Sequence, residues 1–251
     1  MIKLSRVAGA IALAAVTSLS AGCGGAGGVD EATRNPPTGA GDVVVRLAGL
    51  GGLVPFGYTE GQPPAFSLYG DGRLISAPAG RFQTWPELSE HRVDPDTVRR
   101  LFRAAITAAE PPRSPDPQVP DGGQLNITIG GATPRTAGIS GVADRATALY
   151  AAFTAAAGAG GTPYRPTAVA AVAVPSNNNP TDQRGWPLGT LPGQPVHGGG
   201  IGCTLLRGGD IGRARQAAAG VTGATTWSSA GQRWSVFFRP LLPDEAGCAA
   251  L

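Results

Sequence analysis

The stretch AFSLYGDGRLIS, residues 65–76, decides the fold class because it predicts a β-hairpin. Residues 65–68 and 73–76 are strand-like, and the GDG sequence at 70–72 supplies two glycines for a turn with positive φ. Successive residues of a strand face opposite ways, so one face of this hairpin is expected to join the core. The hairpin predicts antiparallel pairing at this point of the chain.

The clearest helix signals follow the hairpin. Asp94 is a suitable N-cap and Pro95 suits the first helical position, while Pro111 and Pro112 end the helix. Apolar residues between them repeat at helical spacing, namely Val98, Leu101, Phe102, Ala105, Ile106 and Ala109. We therefore expect an amphipathic helix between Asp94 and Pro111.

Strand-like and helix-like segments alternate along the rest of the chain. Ser140 is expected to cap a second helix that ends near Gly158, and Asp210 to cap a short third helix that ends at Gly220. The second helix has an apolar stripe of Val142, Ala146, Leu149 and Phe153. The expected strands lie at 43–47, 125–129, 135–139, 169–174, 202–206, 225–228 and 234–238. This order predicts an α+β fold, an antiparallel or mixed sheet with two or three helices packed mainly on one face.

The N-terminus has the parts of an export signal. Lys3 and Arg6 give a positive start, residues 7–19 form an apolar run, and small residues at 20–22 precede Cys23. The apolar run is shorter than the roughly 20 residues that span a bilayer. The pattern therefore predicts an exported protein.

The end of this signal resembles the lipobox of bacterial lipoproteins, with Ser20 in the usual position of a Leu and Leu19 one place earlier. The resemblance implies that Cys23 is lipidated, that residues 1–22 are removed, and that two or more acyl chains anchor the protein stably. The implied location is the extracytoplasmic face of the cell membrane. The alternative is an ordinary secretory signal cleaved nearby, which would leave Cys23 as a free thiol.

Cysteine parity favours the lipid interpretation. The chain has three cysteines, so Cys203 and Cys248 can pair in an oxidising compartment while Cys23 carries the lipid. The two lone thiols match no zinc pattern. A bond between them closes a loop of about 46 residues, which corresponds to about 4 kcal/mol of stabilisation.

The domain organisation follows from these signals. We expect a lipoprotein signal peptide at 1–22, a flexible Gly-rich tether at 23–42, and a single α+β domain at 43–251. A Pro- and Gly-rich stretch at 176–200 is expected to be a long loop in that domain.

Charge and motifs exclude several classes of function. The net charge of +3 falls to +1 without residues 1–22, because Lys3 and Arg6 are the only charged residues there. Near-neutral charge argues against nucleic acid as a partner. Lys3 is the only lysine, so a processed chain has no lysine for Schiff-base chemistry. Neither a Walker sequence nor a metal-binding motif is present, and no cofactor or metal is expected.

Four residues are candidates for a partner-binding surface. Tyr69 beside Arg73 is expected on one face of the hairpin, while Phe237 and Arg239 share a face of the last strand, opposite Trp234, Val236 and Phe238. Exposed aromatic and Arg side chains are enriched at interaction hot spots. The alternative is that these side chains stabilise neighbouring strands.

Two segments, 66–75 with 51–56 before it and 239–245 with Cys248, look like parts of uncharacterised secreted proteins and lipoproteins of high-GC Gram-positive bacteria. That resemblance implies a location and no activity. The leading hypothesis is a non-catalytic module that binds an envelope protein, an envelope polymer or a small ligand. The alternative is an envelope hydrolase that uses His197 with a carboxylate. A transporter's solute-binding protein is disfavoured because too few βαβ units are expected.

Overall fold

The computed structural model of the protein describes residues 35–51, 54–78, 83–112, 119, 122–131, 134–177, 182–197 and 199–251. The predicted signal peptide at 1–22 and the predicted lipidation site at Cys23 lie outside the described residues and stay predictions. Of the predicted tether at 23–42, residues 35–42 are described.

The N-terminal half forms a seven-stranded antiparallel sheet. Its strands are β1 (Val43–Gly51), β2 (Phe66–Tyr69), β3 (Arg73–Ser76), β4 (Ser89–Arg92), β5 (Gly123–Ile129), β6 (Arg135–Ser140) and β7 (Thr162–Pro163), in the order β6-β5-β1-β2-β3-β4-β7. The predicted hairpin is confirmed, since Leu68 pairs with Leu74 and Gly72 adopts a φ of 82° in the turn.

The C-terminal half forms a second sheet of six strands. They are β8 (Ala168–Pro175), β9 (Asp182–Gly185), β10 (Gln194–Val196), β11 (Ile201–Arg207), β12 (Thr225–Ser229) and β13 (Gln232–Pro240), in the order β10-β11-β8-β13-β12-β9. Its pairs are antiparallel apart from β12 with β9, which is parallel. The stretch at 176–200 therefore contains two short strands where a loop was expected.

Four helices lie among the described residues: α1 (Tyr58–Gly61), α2 (Pro95–Ala109), α3 (Asp144–Ala157) and α4 (Gly209–Ala218). The α2 helix matches its prediction, because the Asp94 side chain accepts hydrogen bonds from the backbone amides of Asp96 and Thr97. None of these helices is long and apolar enough to cross a membrane.

The start of α3 differs from the prediction. Ser140 is the last residue of β6 and pairs with Gln124. The residue that was expected to cap the helix is therefore part of the sheet. The helix starts at Asp144, without a side-chain cap. Val142, predicted on the buried stripe, lies in the intervening turn and is 51% exposed.

Both faces of each sheet contribute residues to buried clusters. The α2 and α3 helices cover one face of the first sheet, where Leu47, Phe102 and Phe153 are fully buried. Its other face carries Tyr69 and Ile75, which pack with Leu242 of the C-terminal segment. In the second sheet, α4 packs on the face that carries Trp234, Val236 and Phe238. Phe237 lies on the opposite face, as strand alternation predicted.

The fold is therefore sheet-rich. The antiparallel or mixed sheet with a few helices is confirmed as a coarse description, but the described strands form two sheets rather than one, and each sheet packs helices of its own. The molecule is mainly β with some helices.

A disulfide joins the second sheet to the chain end. Cys203 of β11 is bonded to Cys248, which begins a short 3-10 turn at Cys248–Ala250. Both cysteines are buried. The predicted pairing of Cys203 with Cys248 is present in the structure.

Residues 37–42, part of the predicted tether, lie against the first sheet. The amide of Gly70 donates to the carbonyl oxygen of Asp42 at 3.0 Å, and Arg73 Nη2 donates to the carbonyl oxygen of Ala40 at 2.7 Å. A Cβ at Gly70 would lie 2.5 Å from the carbonyl carbon of Thr38, so this close approach needs glycine. The packed domain thus begins several residues before β1.

Candidate functional site

A partly buried polar network contains three of the four candidates for a partner-binding surface, Tyr69, Arg73 and Arg239. The phenol of Tyr69 donates a hydrogen bond of 2.7 Å to Asp244 Oδ1, and Arg46 Nη2 donates to the same oxygen at 2.6 Å. Arg73 lies beside them, with its guanidinium carbon 5.4 Å from the centre of the Tyr69 ring. Arg46 of β1 and Tyr69 of β2 therefore both contact the carboxylate of Asp244, near the chain end.

A second ion pair continues this network toward the second sheet. Arg239 Nη2 of β13 donates to Glu245 Oε1 at 2.6 Å, and the amide of Leu242 donates to Glu245 Oε2 at 2.9 Å. Arg46 Nη1 lies 3.9 Å from the same Glu245 carboxylate. These linked ion pairs have two cations, Arg46 and Arg239, and two anions, Asp244 and Glu245, so their charges balance without an external ion.

Burial and neighbouring charge act on the pKa values in this network. Burial raises the pKa of Tyr69, and its hydrogen bond to Asp244 raises it further. Burial lowers the pKa of Arg239, opposed by attraction to Glu245. Burial also acts to lower the pKa of Arg46, but the attraction of Asp244 and Glu245 outweighs the effect of burial, so this pKa is raised. The Tyr69 phenol is thus kept protonated and the guanidinium of Arg46 kept charged, which suits a structural role.

Three of the four candidates for a partner-binding surface, Tyr69, Phe237 and Arg239, are buried in the structure. Tyr69 is 0% exposed, and Phe237 and Arg239 are each 6% exposed. The C-terminal segment covers Tyr69. The α1 helix covers Phe237, and the two are so close that a Cβ at Gly61 would lie only 2.4 Å from Phe237 Cβ. Strand alternation gave the face of each residue correctly, but it does not reveal what packs on that face.

Arg73 is half-buried and held by local partners. Its Nε donates to Asp71 Oδ2 at 2.9 Å within the turn of the hairpin. Burial acts to raise the pKa of Asp71, but the hydrogen bonds and charge of Arg73 outweigh it and lower that pKa. These contacts fix the turn and leave little of the Arg73 head group for a partner.

His197 is the base of the alternative hydrolase hypothesis. Its side chain is exposed, its φ is 48°, and its Nε2 lies 2.5 Å from the backbone oxygen of Leu251. This contact ties the ring to the chain end rather than to a carboxylate side chain. Across the described ranges, no group of three or more His, Cys, Asp or Glu side chains is placed to hold a metal ion.

A cleft of about 490 Å³ lies where the segment before α1 meets the ends of β8 and β13. Pockets of this size are typical of small-ligand sites. Its described lining is Pro55, Phe56, Tyr58, Val174, Pro175, Ser176, Asn177, Thr222, Gly223, Thr225, Ser235, Val236 and Phe237. Of the candidate residues taken from the sequence, Phe237 contributes to this lining.

Two contacts hold the cleft wall at 55–58 in position, one by close packing and one by a hydrogen bond. Gly57 has a φ of 76°, and a Cβ there would lie 2.3 Å from Val174 Cγ1. Arg239 Nη1 also donates to the carbonyl oxygen of Glu60 at 3.2 Å, which fastens α1 to the polar network. The cleft wall at 55–58 is therefore held on rigid strands, as a preformed binding site requires.

The cleft lining combines an exposed aromatic ring with a buried serine. Ser176 is 8% exposed, and its Oγ, which has almost no accessible surface, makes no hydrogen bond to any described residue. A buried hydroxyl in that state costs free energy. Phe56 is 59% exposed, the most of any large apolar residue described.

The cleft was missed at the sequence level because its lining comes from four separate segments without a shared motif. The signal that was present is Pro55-Phe56 followed by Gly57, two large apolar residues before a glycine. The segment 51–56 was noted only for its resemblance to exported proteins.

Comparison with protein-family models, with curated proteins and with solved structures finds no match for this chain.

Proposed function

We propose that the protein is a lipid-anchored, extracytoplasmic binding module that takes a ligand in the cleft. Support for the anchor is the lipobox-like end of the N-terminal signal at Cys23. Since residues 37–42 pack on the first sheet, residues 24–36 would form the spacer between the lipid and the domain.

The exposed Phe56 ring in the lining of the cleft is the observation that carries the binding role. It is the most exposed large apolar residue described, and an apolar ring at a concave surface is a contact for a ligand. Asn177 and Ser235 contribute polar groups to the same lining.

The cleft chemistry favours binding over hydrolysis. Its described lining contains no carboxylate, imidazole or thiol that could act as a general base or nucleophile activator. His197, the base of the alternative hypothesis, is not among the lining residues. We therefore propose a non-catalytic role.

Two experiments test this proposal separately. For the anchor, a Cys23→Ala variant is expected to leave the membrane fraction, and the native protein is expected to be heavier than its polypeptide by the mass of the lipid. Equal membrane retention of the variant would overturn the anchor.

For the cleft, the full-length protein is titrated with a solubilised envelope extract of a Gram-positive bacterium while amide NMR signals are followed. We expect shifts at Ser176 and Ser235 that Phe56→Ala weakens. Val142→Ala is the matched control, because Val142 is similarly exposed but lies outside the cleft lining. Shifts that are confined to other surfaces would contradict the site.

A further inference from the structure

We infer that the ligand of this cleft is a neutral carbohydrate, an inference that rests on the proposed function. The first ground is charge. None of the described lining residues is acidic or basic, so the cleft offers no ion pair to a phosphate, carboxylate or ammonium group. A charged ligand would lose hydration there without gaining a partner.

Two charged residues near the cleft, Asp182 and Arg239, are already paired. Asp182 Oδ2 accepts from Thr225 Oγ1 at 3.0 Å and from Arg184 Nε at 2.9 Å. Arg239, which anchors α1 behind the cleft wall, is paired with Glu245. The lining residue Thr225 thus contacts a carboxylate that Arg184 already pairs, so Asp182 offers no free charge to a ligand.

The second ground is the mixture of surfaces within the cleft. Phe56, Pro55 and Pro175 contribute apolar groups to the lining, and Asn177 and Ser235 contribute an amide and a hydroxyl group. A sugar ring matches both, because its C–H face packs on an aromatic ring while its hydroxyls donate and accept hydrogen bonds. A purely aliphatic ligand would leave the polar groups unpartnered, at a cost in affinity.

The experiment is a titration of the full-length protein with linear neutral hexose oligosaccharides, followed by amide NMR and calorimetry. We expect saturable shifts at Ser176 and Ser235. Phe56→Ala is expected to weaken binding about tenfold, in keeping with the loss of a ring contact. Val142→Ala is expected to bind as the native protein does, and thermal unfolding of each variant checks that it is folded.

Asn177→Asp supplies a second test that does not depend on truncation. It places a carboxylate at the cleft, and for a neutral ligand it is expected to change affinity less than about threefold and to leave binding independent of salt. An anionic ligand would instead bind more weakly to this variant at low salt, with a clear salt dependence.

The outcomes separate this inference from the proposed function. Cleft shifts with uronic acid oligosaccharides or with a fatty acid, and none with neutral oligosaccharides, would overturn the carbohydrate while leaving the cleft as the binding site. Absence of cleft shifts with the envelope extract as well would overturn both. Neutral oligosaccharide shifts that Phe56→Ala does not weaken would also overturn the inference.

Discussion

Tyr69 and Asp244 are joined by a hydrogen bond of 2.7 Å although they lie 175 residues apart in the chain. Tyr69 ends the second strand of the first sheet, and Asp244 follows the last strand of the second sheet. Arg46 shares the same carboxylate oxygen. Part of the connection between the two halves of the molecule is thus polar, and the energetics of that part are testable.

Removal of the Tyr69 hydroxyl is predicted to destabilise the folded protein. Hydrogen bonds to charged groups contribute about 1.5–3 kcal/mol, so Tyr69→Phe is expected to lower the free energy of unfolding by that amount in urea denaturation. Tyr150→Phe is the matched control, because the Tyr150 ring, 5.1 Å from the Phe66 ring, keeps this contact without its hydroxyl. Equal stabilities of the Tyr69 variant and the native protein would show that the bond contributes nothing.

Loss of one partner of the Arg239–Glu245 pair is predicted to cost more than loss of both. Arg239→Leu leaves the Glu245 carboxylate buried without its closest cation, a change that costs about 3–5 kcal/mol in buried pairs. Arg239→Leu combined with Glu245→Gln removes the unpaired charge and is expected to recover part of that loss. Double-mutant analysis of denaturation curves measures the difference.

The control for this pair is an exposed one. Arg213 and Asp210 form an ion pair one turn apart on α4, where both side chains are largely solvated. Arg213→Leu is expected to change stability by less than about 1 kcal/mol. If Arg239→Leu has an equally small effect, the buried network is not a stabilising connection between the sheets.

Local features of the fold were predictable because short-range chemistry determines them. The hairpin at 65–76 follows from its glycine turn, and α2 follows from Asp94, Pro95 and the apolar spacing. The predicted start of α3 was wrong because backbone pairing of Ser140 with Gln124 competes with helix capping by Ser140. A strand partner that is distant in sequence cannot be identified from local propensity.

Long-range features escaped prediction for the same reason. Alternation placed Phe237 opposite Trp234 correctly, but the burial of Phe237 depends on α1, more than 170 positions earlier in the chain. The division into two sheets likewise depends on which strands pair. The lining of the cleft comes from four segments, so it depends both on strand pairing and on packing between residues that are distant in the sequence.

Reduction of the Cys203–Cys248 bond is predicted to lower the free energy of unfolding. The two cysteines are 45 positions apart, and the entropy of closing a loop of that length corresponds to about 4 kcal/mol. Denaturation with and without dithiothreitol measures the effect. A Cys203→Ala, Cys248→Ala variant should be insensitive to the reductant, and an equal response in that variant would assign the effect elsewhere.

The raised pKa values of Tyr69 and Tyr164 predict that stability falls at alkaline pH. Burial raises the pKa of Tyr164 to about 12, and its hydroxyl donates to the carbonyl oxygen of Leu241 at 2.9 Å; the pKa of Tyr69 is also raised. Because the unfolded chain loses these protons near pH 10, the stabilisation is complete below pH 10 and declines as the pH rises toward about 12. The slope approaches about 1.4 kcal/mol per pH unit for each tyrosine.

A Tyr164→Phe variant tests the sign and the residue together. It cannot release a phenolic proton, so its free energy of unfolding is expected to fall less steeply than that of the native protein between pH 10 and about 12. Urea denaturation at closely spaced pH values, with absorbance of tyrosinate followed in parallel, gives both quantities. Tyr164→Phe and native curves that run parallel above pH 10 would show that the Tyr164 phenol ionises equally in the folded and unfolded chains, contrary to the raised pKa expected from its partial burial and its hydrogen bond to Leu241.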